Sequence, residues 1–317
     1  MRGKAQTPSA EFAADIAFRV FGRAPRSVKR FPTGARHHVF DVAFEDNSSV
    51  VVRVGEPSAR REMAGAVDLS QLLRPLGVPL PTLLAYEIAG PFPWLVLERL
   101  PGSDLGTVAA GLSREQLDRI AGEVAQAQLI VGQTGIAERY GYAVRPADAP
   151  HRVWSTVLDA NLARSRRRIV SAGLFDVGLA DIVQHRVDAM RSELDDIAAT
   201  PFLHDTTTRN VIVTSEGEFS GIVDVDDLCF GDPRYPAALT FAAMTAHGGP
   251  TGYVSAWLRH AGQADDRRFR LYVLVFLLEL LSEHGHSFNG NNARPSPPEG
   301  RTVLRRAFDA GLSYISA

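Results

Sequence analysis

The sequence predicts an α+β fold in two lobes, a smaller N-terminal lobe built on an antiparallel sheet (residues 1–100) and a larger, mainly helical C-terminal lobe (residues 101–317). Three observations lead there. In the early chain apolar side chains recur at every second position, with Phe40, Val42 and Phe44 in one segment and Val50, Val52 and Val54 in the next, which is the repeat of a half-buried strand. From Leu112 onward the apolar repeat lengthens to three and four, the spacing of helices packed by one face. Between the later helices lies Phe202 to Asp232, FLHDTTTRNVIVTSEGEFSGIVDVDDLCFGD, where two short apolar strands frame a group of acids. A chain of 317 residues with 45% hydrophobic content is long enough to give each lobe its own core.

In chain order, Phe12, Ile16, Val20 and Phe21 form one stripe and predict a helix over Glu11 to Phe21. Strands are predicted at Val28 to Phe31, His38 to Phe44 and Val50 to Val54. The loop from Pro32 to His37 contains Gly34, which could let backbone N–H groups approach a phosphate, although a single glycine also suits an ordinary hairpin. Arg53 interrupts a run of valines; alone, such a residue snorkels to solvent. A helix over Ser58 to Leu73 follows, with Met63, Val67, Leu69 and Leu73 on one face and Glu62 in its first turns. Gly77 to Pro81 stops it. Strands Thr82 to Ile88 and Pro93 to Leu100 lead to the Pro101-Gly102 turn, so the lobe boundary falls near Leu100 to Ser103. Asp104-Leu105 opens the helical lobe, and Ser113 caps a helix carrying Leu117, Ile120, Val124 and Leu129. Residues 134–153 have no periodicity. Further helices are predicted at Val153 to Ala172, Leu179 to Ala199, Ala237 to Ala246, Gly252 to Ala261 and Arg268 to His284, and a turn-rich loop at Asn289 to Glu299.

Composition closes several routes. A formal net charge of -2 supplies no basic field to attract nucleic acid or an anionic membrane. The four arginines between Arg164 and Arg168 read as a solvated helix face. The one cysteine, Cys229, precludes an internal disulfide and a zinc ribbon and reads as a small buried hydrophobe. His284-Gly285-His286 lacks a third ligand at metal-binding spacing and reads as solvated. No apolar run is long enough for a signal peptide or a membrane span, so a cytoplasmic location, where nucleoside triphosphates are available, is expected.

The chemistry concentrates in the central stretch. Val211 to Val213 and Phe219 to Val223 are strands joined by the Ser215 to Glu218 turn, so the hairpin returns Asp224 to the neighbourhood of Asn210 and Asp205. Carboxylates gathered in this way repel one another unless a proton or cation intervenes. Mg²⁺ takes oxygen donors, commonly one or two protein ligands plus waters and substrate phosphates, and Asn210 with Asp224 meets that need while leaving Asp205 free. An Asx-rich loop serving only its own backbone is the plainer alternative for Asp205 and Asn210 alone.

With these residues in view, the chain resembles the aminoglycoside phosphotransferase and choline kinase-like family, small-molecule kinases with a protein-kinase-like fold. The resemblance rests on Leu203-His204-Asp205, Asn210, Val223-Asp224-Val225 and Gly231-Asp232-Pro233. It departs from the family pattern at His204, which adjoins Asp205 instead of standing two residues before it, and at Tyr235-Pro236-Ala237-Ala238, which lacks the family's acid.

The resemblance implies roles. Asp205 would be the catalytic base. Asn210 and Asp224 would hold Mg²⁺. Gly34 and Arg53 would meet the phosphates of ATP or GTP, with Glu62 paired to Arg53, and Glu98 and Leu100 would offer main-chain groups to the base. A small hydroxylated acceptor would sit against the C-terminal helices, where Asp159, Asp226, Glu279 and Glu283 could face it. An antibiotic of aminoglycoside, nucleoside or peptide type, as in resistance or self-protection, is the first expectation by analogy. A metabolite such as an amino alcohol or sugar is second. A nucleotide-binding pseudokinase is the reading from another class, and the intact Asp205, Asn210 and Asp224 set weighs against it.

Overall fold

The computed structural model describes residues 8–31, 37–286 and 297–316. The first helix, α1 (Ala10–Phe21), is capped by the Ser9 side chain, which accepts from the Phe12 N–H, and ends at Gly22 in the left-handed region. Next come β1 (Ser27–Arg30), β2 (His37–Ala43), β3 (Ser49–Gly55), α2 (Arg60–Leu73), β4 (Leu83–Glu87) and β5 (Trp94–Glu98). The strands form one antiparallel sheet in the order β1-β2-β3-β5-β4. Helix α1 covers one face, burying Ile16 against Phe40, Val42, Val52 and Val96. Met63 and Val67 of α2 pack with Leu95 in a second apolar cluster. Because side chains alternate along a strand, Val52 and Val54 enter the α1 core and Arg53 points to the opposite side.

The rest of the chain is mainly helical: β6 (Ser103–Asp104), α3 (Leu105–Val108), α4 (Arg114–Gly132), β7 (Gly141–Ala143), α5 (Ser155–Ala172), α6 (Gly178–Ala189), α7 (Arg191–Asp195), β8 (Thr200–Phe202), β9 (Val211–Val213), β10 (Phe219–Ile222), β11 (Leu228–Gly231), α8 (Tyr235–His247), α9 (Gly252–His260), α10 (Arg267–Glu283) and α11 (Pro298–Ser316). Helix α10 is the central post, with Leu271 to Leu278 buried and α5, α8 and α11 around it. The helix expected over Leu179 to Ala199 is broken at Met190, whose φ of -111° and ψ of 9° leave the helical basin. Strands β6, β7, β8 and β11 and helix α11 are additions to the expected set. The Asn289 to Glu299 stretch lies outside the described residues up to position 296, and Pro298 and Glu299 open α11.

Two small sheets, β10-β9-β6 and β7-β11-β8, carry the central stretch. Gly102 brings the first against the lobe junction: its φ is +105°, and a Cβ there would lie 1.8 Å from the Val213 carbonyl oxygen. The chain thus passes from β5 into β6 directly over the hairpin. A second tie joins the lobes where the Ile222 N–H donates to the Pro79 carbonyl at 2.8 Å.

Candidate active site

The hairpin brings its polar ends together. The Val223 N–H donates to the Asn210 carbonyl at 2.9 Å, and the Asn210 Nδ2 donates to the Asp205 backbone carbonyl at 2.8 Å. With its amide nitrogen committed inward, the Asn210 side-chain oxygen is the end left for a ligand. Asp224 lies in the left-handed region at φ +65°, where Asp is tolerated better than most side chains, and its carboxylate is half exposed. Leu203, His204, Asp205, Asp224, Val225 and Asp227 line one small cleft. Among the described residues no group of three or more His, Cys, Asp or Glu side chains is arranged to hold a metal ion. Asn210 and Asp224 instead form the sparse donor pair that Mg²⁺ accepts when phosphates and waters complete its shell.

Asp205 itself is supported from behind. Buried Gln128 of α4 donates to the Leu203 carbonyl at 2.8 Å and to Thr206 Oγ1 at 2.9 Å, and accepts from the Leu203 N–H at 3.0 Å. Asp205 Oδ1 accepts from Thr207 Oγ1 at 3.1 Å. His204 is turned elsewhere: its Nδ1 lies 3.2 Å from Asp227, and its ring meets Tyr142 edge to face with centroids 4.9 Å apart. Asp232 of the Gly-Asp-Pro segment is buried, accepting from the Arg234 guanidinium at 2.7 and 3.0 Å and from the Tyr272 hydroxyl at 2.9 Å. It ties the end of β11 to α10.

Arg53, buried on β3, reaches the acids at the end of the hairpin. Its guanidinium lies 2.5 Å from Asp226 and 3.0 Å from Asp224. The expected Arg53–Glu62 ion pair gives way to these two contacts. Glu62 acts on Arg53 only through its field, and its Oε2 is buried without a hydrogen-bond partner. The physical reason is reach: the chain leaving the hairpin delivers Asp226 to the guanidinium directly, and a buried cation takes the carboxylate it can touch. Burial works against the Arg53 charge, and the fields of Asp226 and Asp224 outweigh it, so its pKa is raised. Asp226 answers in kind: burial opposes its charge, but Arg53 and His37 hold its carboxyl well below the usual range. His37 Nε2 stands 3.2 Å from Asp226. Gly34 lies outside the described residues.

At the lobe junction the Glu98 N–H donates to the Thr82 carbonyl at 2.8 Å, and its carboxylate accepts from the Thr82 N–H at 3.0 Å and hydroxyl at 2.5 Å. Those Thr82 bonds lower the Glu98 pKa. Neither the N–H nor the side chain of Glu98 is therefore spare. The Leu100 carbonyl accepts from Arg99 at 2.5 Å. Between α5 and α10 Arg164 pairs with Glu279 at 2.6 Å, and Arg168 lies 3.8 Å from Glu283. The solvated face expected for Arg164 to Arg168 is thus corrected: two of its arginines turn inward to carboxylates on α10. Asp159 is taken up by Arg191, at 2.9 and 3.0 Å, and does not join this group. His286 Nε2–H donates to the Arg168 carbonyl, 2.9 Å away, so this histidine is not simply solvated.

With this geometry in place, comparison with known proteins is informative. The family model described as the phosphotransferase enzyme family matches residues 27–272, most of the chain, including Arg53, Asp205, Asn210 and Asp224. The chain belongs to that family. It is a small-molecule phosphotransferase. A search of curated protein sequences returned no match. Among solved structures, this phosphotransferase is similar to the aminoglycoside phosphotransferase APH(4)-Ia in complex with ADP and hygromycin B, at 16% identity and a TM-score of 0.66 over 96% of this chain and 99% of that one. It is also similar to a candidate fructosamine-3-kinase from Thermobifida fusca, at 18% identity and a TM-score of 0.63 over 95% of this chain and 98% of that one. At such identities the likeness is one of fold. No helix among the described residues of the phosphotransferase is long and apolar enough to cross a membrane.

Sequence reasoning passed over Gln128 and did not settle Asp226. Gln128 left a signal, a carboxamide where the apolar stripe of α4 continues from Val124 and Ala125 to Val131. Asp226 left only its place two residues after Asp224.

Proposed function

We propose that the phosphotransferase moves the γ-phosphoryl group of ATP or GTP to a hydroxyl of a small molecule. The observation that carries this reading is that Asp205 and Asp224 line one small cleft, with the Asn210 side chain bonded to the Asp205 backbone and the buried guanidinium of Arg53 3.0 Å from Asp224. In this reading Arg53 binds the nucleotide phosphates, and the Glu98 carbonyl and Leu100 N–H receive the base. Asn210 and Asp224 would hold Mg²⁺, which when bound offsets the phosphate charge. Asp205 lies beside that donor pair with no cation of the protein paired to it in the structure's described contacts, so it is free to orient the acceptor hydroxyl and take its proton as the P–O bond forms.

For the acceptor, an antibiotic of aminoglycoside, nucleoside or peptide type follows the structural relatives that bind hygromycin B and kanamycin. A neutral or zwitterionic metabolite is the second reading. Arg164 already compensates Glu279, so the acceptor side offers less spare negative charge than a polycation would call for, and a fold relative is a sugar-amine kinase candidate.

The test is release of nucleoside diphosphate by purified protein with Mg²⁺ and ATP or GTP, against a panel of hydroxylated antibiotics and metabolites. Replacing Asp205 with Ala lowers acceptor-dependent turnover by roughly 10²–10⁴-fold if it is the general base. Near-normal turnover in that variant removes the assignment, and release from no acceptor despite nucleotide binding favours a sensor.

A further inference from the structure

We infer that Asp226 is the residue that positions Arg53 for the nucleotide phosphates, the task a glutamate of α2 would otherwise perform. The inference rests on the reading of Arg53 as a phosphate-binding group. Arg53 is 5% exposed, so its cation requires a partner within the protein whenever no phosphate is bound. Asp226 is the nearer and more buried of its two partners, at 2.5 Å against 3.0 Å for the half-exposed Asp224, whereas Glu62 keeps a buried oxygen without any hydrogen bond.

Asp226 is itself held from three directions. His37 of β2 stands 3.2 Å from its Oδ2. Arg53 of β3 contacts the same oxygen. Helix α2 is seated on its backbone: Gly65 approaches so closely that a Cβ there would lie 2.4 Å from the Asp226 carbonyl oxygen. Asp226 thereby ties together β3, which carries Arg53, β2, which carries His37, and the helix behind them. Its second oxygen, Oδ1, is buried and has no hydrogen-bond partner, which leaves room for a further N–H of Arg53 when the guanidinium turns to a phosphate. A carboxylate in this place fixes the guanidinium plane beside the hairpin end that bears Asp224, and the pair stays within one segment of chain.

The sign of one measurement decides the matter. In a chelator, with ADP as the probe, the metal site makes no contribution and Arg53 is the main charged contact to the phosphates. Asp226→Asn removes a negative charge next to an anionic ligand. If Asp226 positions Arg53, metal-free ADP binding weakens by about tenfold or more in isothermal titration, despite the lost repulsion. If Asp226 only competes with the phosphates for Arg53, or serves the metal, the affinity stays or rises, and the inference is overturned. In an Arg53→Ala background the same substitution changes ADP affinity less than about twofold; an undiminished effect there also overturns it. Should Asp226→Asn fail to fold, Glu62→Gln decides: a tenfold loss returns the role to α2, and a smaller change of about twofold leaves it with Asp226. Absence of ADP binding by the wild-type protein would instead remove the reading of Arg53 on which this one stands.

Discussion

Gln128 shows how much one buried carboxamide can govern. It satisfies both the N–H and the carbonyl of Leu203, two residues before Asp205, inside the helical lobe. Gln128→Leu keeps the volume, leaves the Leu203 N–H without a partner and leaves its carbonyl only the long Thr206 hydroxyl contact at 3.5 Å, which costs about 2 kcal/mol of stability. Because the loop loses its anchor next to Asp205, turnover falls further than the remaining folded fraction explains. Urea denaturation read beside turnover per folded molecule checks this, and equal losses in both would show that Gln128 serves stability alone. Residues of this kind are hard to see in a sequence. A glutamine in a helix is ordinarily exposed, and its partner Leu203 is 75 positions away.

At the scale of elements, two helical glycines with the same local conformation predict opposite outcomes. In α4, a Cβ at Gly122 would meet only the His260 ring, at 3.5 Å, an ordinary contact. Gly122→Ala therefore stabilises by roughly 0.5–1 kcal/mol through helix propensity. In α2, a Cβ at Gly65 would fall 2.4 Å from the Asp226 carbonyl oxygen and 2.5 Å from Val144 Cγ2. Gly65→Ala pushes α2 off Asp226, lowers the melting temperature and weakens nucleotide binding together; a melting temperature at or above wild type would contradict the packing described. The elements themselves were largely legible. Alternation marked β2 and β3, the Ser113 to Gln116 capping box marked α4, and the turn after Val213 marked the β9–β10 hairpin. Strands β7, β8 and β11 escaped because three or four residues carry too little periodicity, and their pairing joins segments far apart in the chain. Helix α11 escaped because its start is rich in Pro, Glu and Gly, which reads as loop.

For the molecule as a whole, the same limit applies to charge. A sequence shows which residues are charged but not which of them meet, and Arg164 and Arg168 read as solvated until α5 is seen packed along α10. That packing has a consequence for stability against pH. Burial, with Glu279 beside it, pushes the Glu283 carboxyl up to about 7 from 4.5, against the opposing fields of Arg168 and Arg164. Between those two values the folded protein keeps a proton that the unfolded chain has released, so this group's contribution to stability is full below about pH 4.5 and is lost as the pH rises towards 7. Asp226 acts in the other direction and elsewhere: its depressed pKa contributes stability above its unfolded value of 3.8 that disappears only in stronger acid. The two are therefore separable. Glu283→Gln, which stays neutral at every pH, should show a flatter stability profile than wild type from pH 4.5 to 7. The difference between the two proteins should change across that window and level off above it. Unfolding free energies from denaturant titrations at intervals across pH 4–8 measure it directly. A constant difference over the whole range would mean that Glu283 titrates as an ordinary carboxylate and that its partial burial beside Glu279 does not hold its proton.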